Sequence, residues 1–173
     1  LDFIAEDLGV LTPAVYQLLA DSGLPGMKVL EFAFDAREPS NYLPHTYGPN
    51  CICYAGTHDN ATIMGWRDEA DPDDLALAYR YLGLNEREGL CRGIIRGGMS
   101  SVAVLFVAQL QDWLELGAEA RMNTPGTLGG NWQWRLTPGQ LTASLAEEIS
   151  GITEMYGRRP APSVREQSTA SPV

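Results

Sequence analysis

Residues Cys51–Asn60 read CICYAGTHDN. The first half is a strand signal: a short apolar run, with Ile52 and Tyr54 beside the two thiols, in the pattern of a parallel strand buried on both faces. The second half, Gly56-Thr57-His58-Asp59-Asn60, is a polar loop that follows the strand directly. In parallel α/β folds the C-terminal ends of the strands carry the ligand site. Here that end carries an imidazole and a carboxylate.

Working outward, Met27–Phe34 reads as a second buried strand, largely apolar on both faces. The segment between, Asp35–Asn50, is rich in proline and asparagine and reads as a long loop. Upstream, Phe3–Ala5 is a short apolar run that ends a strand, and Glu6-Asp7-Leu8-Gly9 turns the chain. Thr12-Pro13 starts a helix that runs to about Asp21, with Gly23 just past its end. Downstream, Asp71-Pro72 and Asn85-Glu86 start two further helices. Val102–Leu110 contains another buried strand, and Thr137-Pro138 opens a last amphipathic helix ending near Tyr156. Strands alternating with helices predict an α/β fold with parallel βαβ units. Half of a (β/α)8 barrel and an open doubly wound sheet share this local pattern. The expected organisation is one domain over residues 1–157 and a disordered tail over 158–173, rich in proline, serine and threonine.

The chain has 173 residues, 45% of them hydrophobic and 20% charged, enough for one ordered domain with a core. Its net charge of -10 repels a phosphate backbone, so nucleic-acid binding is disfavoured while neutral partners such as sugars are allowed. No apolar run is long enough to span a membrane. Cys51, Cys53 and Cys91 do not look like a disulfide framework, which points to a reducing cytoplasm. The chain starts at Leu1 inside an apolar run, as a truncated or cut product would.

Glu6-Asp7 and His58-Asp59 each stand where a strand gives way to a loop. Two carboxylates on one rim suit glycosyl transfer, in which one protonates the leaving oxygen while charge builds at the anomeric carbon. The competing reading makes Glu6 a turn cap and Asp59 a helix cap. Met122–Arg135, MNTPGTLGGNWQWR, combines flat aromatics with amides, which suits sugar rings; a core tryptophan pair with asparagine turns is the alternative. His45, Cys51, Cys53 and His58 have the ligand types of a zinc site but match no common zinc spacing. Gly97-Gly98 and Gly129-Gly130 fit neither phosphate-loop pattern.

Several segments, taken in order, resemble one family. They are IAEDLGVLTPAV (Ile4–Val15), LPGMKVLEFAF (Leu24–Phe34), NYLPHTYGPN (Asn41–Asn50), YAGTHDNATIMGW (Tyr54–Trp66) and LQDWLELGAEARMNTPGTLGGNWQWR (Leu110–Arg135). The family is that of the amylomaltases, glycoside hydrolase family 77. The resemblance implies the C-terminal half of a (β/α)8 barrel and a retaining transfer on α-1,4-glucans and maltooligosaccharides. It implies that Glu6 is the general acid/base and that Asp59 holds the ring hydroxyls of the transferred sugar. His58, Phe32 and Asn123 fall on substrate-binding positions. It implies no cofactor and no metal. The nucleophile would be an aspartate upstream of Leu1, so the missing N-terminal part of the chain becomes an expected partner.

This sequence departs from the family at three places. Ala61 stands where an aspartate is usual, Gln109 where a proline is common, and Cys51-Ile52-Cys53 where small or β-branched residues are typical. In the implied mechanism Glu6 donates its proton to the glycosidic oxygen, then deprotonates the acceptor 4-hydroxyl, while Asp59 binds more strongly as the ring flattens. A non-catalytic half-barrel that at best binds glucan is the rival expectation, because an open half exposes strand edges.

Overall fold

The computed structural model describes residues 3–159. Helix α1 (Pro13–Ser22) begins after Thr12 with proline at its first turn and stops at Gly23, whose φ of 67° no other residue type adopts as cheaply. A parallel sheet follows, with strands β1 (Gly26–Val29), β2 (Cys51–Tyr54) and β3 (Leu105–Val107) in the order β1-β2-β3. The register pairs Met27 with Ile52 and Cys53 with Phe106. Cys51, Ile52 and Cys53 are all buried, as expected of a central parallel strand covered on both faces.

The connection from β1 to β2 contains no α-helix. Residues 30–50 cross with two 3-10 turns, Leu30–Phe32 and Pro44–Thr46. The connection from β2 to β3 carries three helices: α2 (Ile63–Glu69), α3 (Pro72–Leu82) and α4 (Leu90–Met99). Helix α3 has the expected cap, with Asp71 accepting from the Asp73 N–H at 3.0 Å and Pro72 at the first turn. Helix α4 packs against α2, α3 and the short α5 (Leu110–Trp113). Its inner face brings in Cys91, Ile94 and Ile95, all buried. Gly98 lies where a Cβ would strike the Phe106 ring, so its missing side chain lets α4 approach β3 closely.

Several boundaries differ from the sequence-based expectation. The strand expected at Met27–Phe34 ends at Val29, because the chain tightens into a 3-10 turn at Leu30. Val102–Leu110 supplies only Leu105–Val107, and Leu110 already belongs to α5. Phe3–Ala5 forms no strand; its tie to the sheet is the Ala5 N–H to the Pro25 carbonyl at 2.9 Å. Asn85 opens a turn, accepting from the Glu88 N–H at 3.1 Å, but Gly89 at φ 81° breaks it and α4 starts at Leu90. Thr137 opens a turn closed on Gln140, not a helix. Helix α2 has no counterpart among the expected elements; Thr62 caps it by accepting from the Gly65 N–H.

The chain divides into two compact units, Leu1–Gln140 and the residues from Leu141 on. The second unit contains helix α6 (Ala143–Met155), capped by Thr142 through the Leu145 N–H. The division thus falls inside the span expected to be one domain. The tail expected from Arg158 lies almost wholly outside the described residues.

Candidate active site

The C-terminal ends of all three strands open on one cavity of about 930 Å³. Phe32 reaches it from beyond β1, Tyr54 and the Gly56–Asn60 loop from β2, and Val107 and Gln109 from β3. Glu6 and its neighbours Ile4 and Leu8 complete the wall. The rim inferred from CICYAGTHDN is therefore a physical surface, and Glu6, Phe32, His58 and Asp59 share it.

Adjacent residues on an extended segment face opposite ways, and Glu6 and Asp7 show it. Glu6 lines the cavity, while Asp7 Oδ1 accepts from the Met27 N–H at 2.6 Å and pins the start of β1. Gly26 has no side chain because a Cβ there would lie 2.6 Å from the Asp7 carboxylate. Burial first, and the Glu6 charge second, push the Tyr54 hydroxyl pKa up.

The second carboxylate is held by its own loop. Asn60 Oδ1 accepts from the Thr57 N–H at 2.9 Å and from its hydroxyl at 2.6 Å, and Thr57 Oγ1 accepts from the Asp59 N–H. Asp59 therefore caps no helix; that duty belongs to Thr62. Asn123 Nδ2 donates to Asp59 Oδ1 at 2.6 Å, and His58 Nε2 lies 3.3 Å from the same oxygen. Arg121 Nη2 donates to the Asp59 backbone carbonyl at 2.7 Å, while its Nε donates to the Asn123 carbonyl. Asn123 does not line the cavity; it reaches the site through Asp59. Trp132 sits beside His58, ring centroids 5.0 Å apart, and is half-exposed rather than part of a core pair.

Two of the departures from the family pattern meet. Gln109 Nε2 donates to the Ala61 carbonyl at 3.2 Å, tying the end of β3 to the residue after the loop. The four groups of the zinc alternative are engaged elsewhere. His45 Nδ1 pairs with the Tyr81 hydroxyl at 2.9 Å, Cys51 Sγ donates to the Gly48 carbonyl, Cys53 faces Tyr47, and His58 faces Asp59. Among the described residues no cluster of histidine, cysteine or acidic side chains could hold a metal ion.

Two carboxyls that do not line the cavity were given no role by sequence reasoning. Asp112 is fully buried; its Oδ1 accepts from the Ile63 N–H at 2.8 Å and its Oδ2 has no partner. Burial pushes its pKa up to about 6, against the pull of the Ile63 and Gln109 N–H groups. Glu31 Oε1 is also buried without a partner. Burial first, and the Asp112 charge second, push Glu31 up to about 9, with Glu69 adding to this and Arg121 opposing it. The available signal was a lone acid inside an apolar run, VLEFAF for Glu31.

Residues 1–142 match the sequence profile of glycoside hydrolase family 77, the 4-alpha-glucanotransferases. The chain belongs to this family. It is 49% identical over 160 residues to a 4-alpha-glucanotransferase of Synechocystis, covering 92% of this chain and 32% of that protein. It is 42% identical over 161 residues to the chloroplastic/amyloplastic 4-alpha-glucanotransferase of Solanum tuberosum, covering 91% and 28%. The structure of an amylomaltase from Streptococcus agalactiae in complex with acarbose superposes with a TM-score of 0.87 at 39% identity, over 91% of this chain and 32% of that one. The chain thus spans about a third of the length of these 4-alpha-glucanotransferases.

Proposed function

We propose that these residues form the acid/base side of a 4-alpha-glucanotransferase active site, which moves α-1,4-glucan segments from a maltooligosaccharide donor to the 4-hydroxyl of an acceptor. The observation that carries this reading is that Glu6 and Asp59 face one cavity at the strand ends while Asp7 is turned away into the backbone of β1. Glu6 is the general acid in the first step and the general base in the second, with the configuration retained. Asp59, oriented by Asn123 and His58, binds ring hydroxyls most strongly as the sugar flattens in the transition state. Phe32, in edge-to-face contact with Tyr42 at 5.7 Å, offers an apolar wall to the sugar face.

Retaining transfer also needs a nucleophile with its carboxyl about 5–5.5 Å from the acid/base. We assign that role to an aspartate of a preceding segment, which would also extend the sheet towards a (β/α)8 barrel. Two facts favour such a partner: β1 and β3 each pair only with β2 among the described residues, and the chain spans about a third of its relatives. On this reading the residues present here are, alone, a glucan-binding half-barrel. The three thiols, all buried and none in a disulfide, suit a reducing cytoplasm.

The test is Glu6→Gln in the complete polypeptide, assayed by glucose release from maltotriose. The amide keeps the shape but moves no proton, so activity should fall about 10²–10⁴-fold with the fold intact. Activity within a few-fold of wild type would refute the assignment of Glu6.

A further inference from the structure

The loop that carries His58 and Asp59 packs against a half-buried acid, Glu31. Glu31 sits in the 3-10 turn that ends β1, where its N–H donates to the Ala55 carbonyl at 3.2 Å. Its side chain lies against Gly56, where a Cβ would fall 2.5 Å from Oε1. That oxygen is shut off from solvent and meets no donor among the described residues. A second orphaned acceptor, Asp112 Oδ2, belongs to α5 below. A carboxylate with one oxygen buried away from any donor, in the field of another acid, is costly, whereas a neutral carboxylic acid is less so. The charges that reach Glu31 come from three directions: Asp112 of α5, Glu69 at the end of α2, and Arg121 after the last 3-10 turn of the first unit. Arg121 is already committed to the Asp59 and Asn123 carbonyls. An ionised Glu31 would compete for that guanidinium, because a charge-assisted pair is about twice as strong as a bond to a neutral carbonyl.

We propose that Glu31 is a positioning residue that works as a neutral acid: it lets the Gly56–Asn60 loop seat on the end of β1 and leaves Arg121 bound to the Asp59 carbonyl. Its kinetic consequence rests on the transfer reading above; its protonation and its hold on the loop do not. The mutual dependence is physical. Gly56 gives the carboxyl its room, the carboxyl supports the backbone that presents Asp59, and Arg121 holds that backbone through the Asp59 carbonyl.

Two measurements on the complete polypeptide decide it. The first needs no turnover. With glutamate carboxyl carbons labelled for NMR, one resonance, absent from Glu31→Gln, should report a neutral acid at neutral pH and titrate near pH 9. The Arg121 side-chain and His58 ring resonances should move through the same pH range in wild type and stay still in Glu31→Gln. A Glu31 resonance that titrates with the exposed glutamates, or loop resonances that ignore it, would overturn the proposal. The second measurement is kinetic. Glu31→Gln should keep kcat within about threefold, and Glu31→Ala should lose about tenfold or more in kcat with a smaller change in KM. The ratio of wild-type to Glu31→Gln kcat, in which other titrations cancel, should be flat below the Glu31 titration and fall through it. A Glu31→Gln variant as damaged as Glu31→Ala would show that the charge, not the neutral acid, is required. A wild type that never turns over maltotriose would remove the transfer reading and leave the NMR result to judge Glu31.

Discussion

Replacing Asp112 by asparagine should shift stability in favour of the variant as pH rises from acid to neutral. The folded state raises the Asp112 pKa from 3.8 to about 6. A raised carboxyl pKa means that the folded state holds the proton more tightly than the unfolded chain. Below about pH 4 both states are protonated and the residue costs nothing. As pH climbs through the window from 3.8 to about 6, the unfolded chain ionises first and stability falls. At about 1.4 kcal/mol per pH unit, the loss reaches about 3 kcal/mol by neutral pH, as an order of magnitude. No discount for solvent applies, since the side chain is fully buried. The amide keeps the oxygen that accepts from the Ile63 N–H at the start of α2, and it does not titrate. Its own desolvation, about 1–3 kcal/mol if the NH2 finds no acceptor, is independent of pH and cancels when two pH values are compared. The assay is urea unfolding of wild type and Asp112→Asn at steps from pH 4 to pH 7. The stability difference should grow in favour of the variant by up to about 3 kcal/mol across that range. A flat difference, or one that grows in favour of wild type, would refute the claim that burial rather than its hydrogen bond governs Asp112. Asp112→Ala is the contrast: it also removes the titration but orphans the Ile63 N–H, so it should be about 2–4 kcal/mol less stable than Asp112→Asn at every pH.

Three further outcomes are expected. Asp59→Asn should lower kcat far more than it weakens glucan binding, because its proposed role is strongest in the transition state; a rise in KM alone would make Asp59 a simple binding residue. Gly98→Ala should destabilise by about 1–3 kcal/mol, read as a lowered melting temperature, since the new methyl meets the Phe106 ring. Residues Leu1–Val173 expressed alone should release no glucose from maltotriose and should gain activity on mixing with the preceding segment; robust activity alone would mean that the nucleophile lies within these residues.

The parts of the fold legible in the sequence were those written in local chemistry. Thr12-Pro13 with Gly23 pairs a helix start with a left-handed stop, and Asp71-Pro72 is a second start; both helices begin where these signals stand, and the structure ends the second at Gly83. Cys51–Tyr54 was legible because a strand buried on both faces leaves few alternatives. Boundaries decided by packing were not. Leu30 is as apolar as Val29, yet the chain turns there, because Glu31 must direct its N–H to the Ala55 carbonyl and its acid under Gly56. Asn85 is a sound helix start by type, but Gly89 interrupts the helix one turn later. The Thr137-Pro138 pair carries the same signal as Thr12-Pro13 and forms only a turn, with α6 waiting for Thr142.

The site divides along the same line. Glu6 and Asp7 could be told apart from sequence because alternation along an extended segment is a local rule, and the 2.6 Å bond from Met27 to Asp7 obeys it. That Asp59 belongs with Asn123 and Arg121 was not local: the three are brought together across residues 59 to 123, and only the resemblance named Asn123 at all. Glu31 and Asp112 were harder still. Each reads as an ordinary acid beside apolar neighbours, and what sets it apart is the absence of a donor within reach of one oxygen. An absence of partners has no sequence signature, because every residue that fails to arrive comes from elsewhere in the chain. Burial then converts that absence into chemistry. The same desolvation that makes these two acids costly as ions pushes one of them, against Gly56 in the loop of Asp59, towards the proton-bearing form. The support beneath the proposed transition-state carboxylate is therefore a group whose charge state belongs to the fold and not to its residue type.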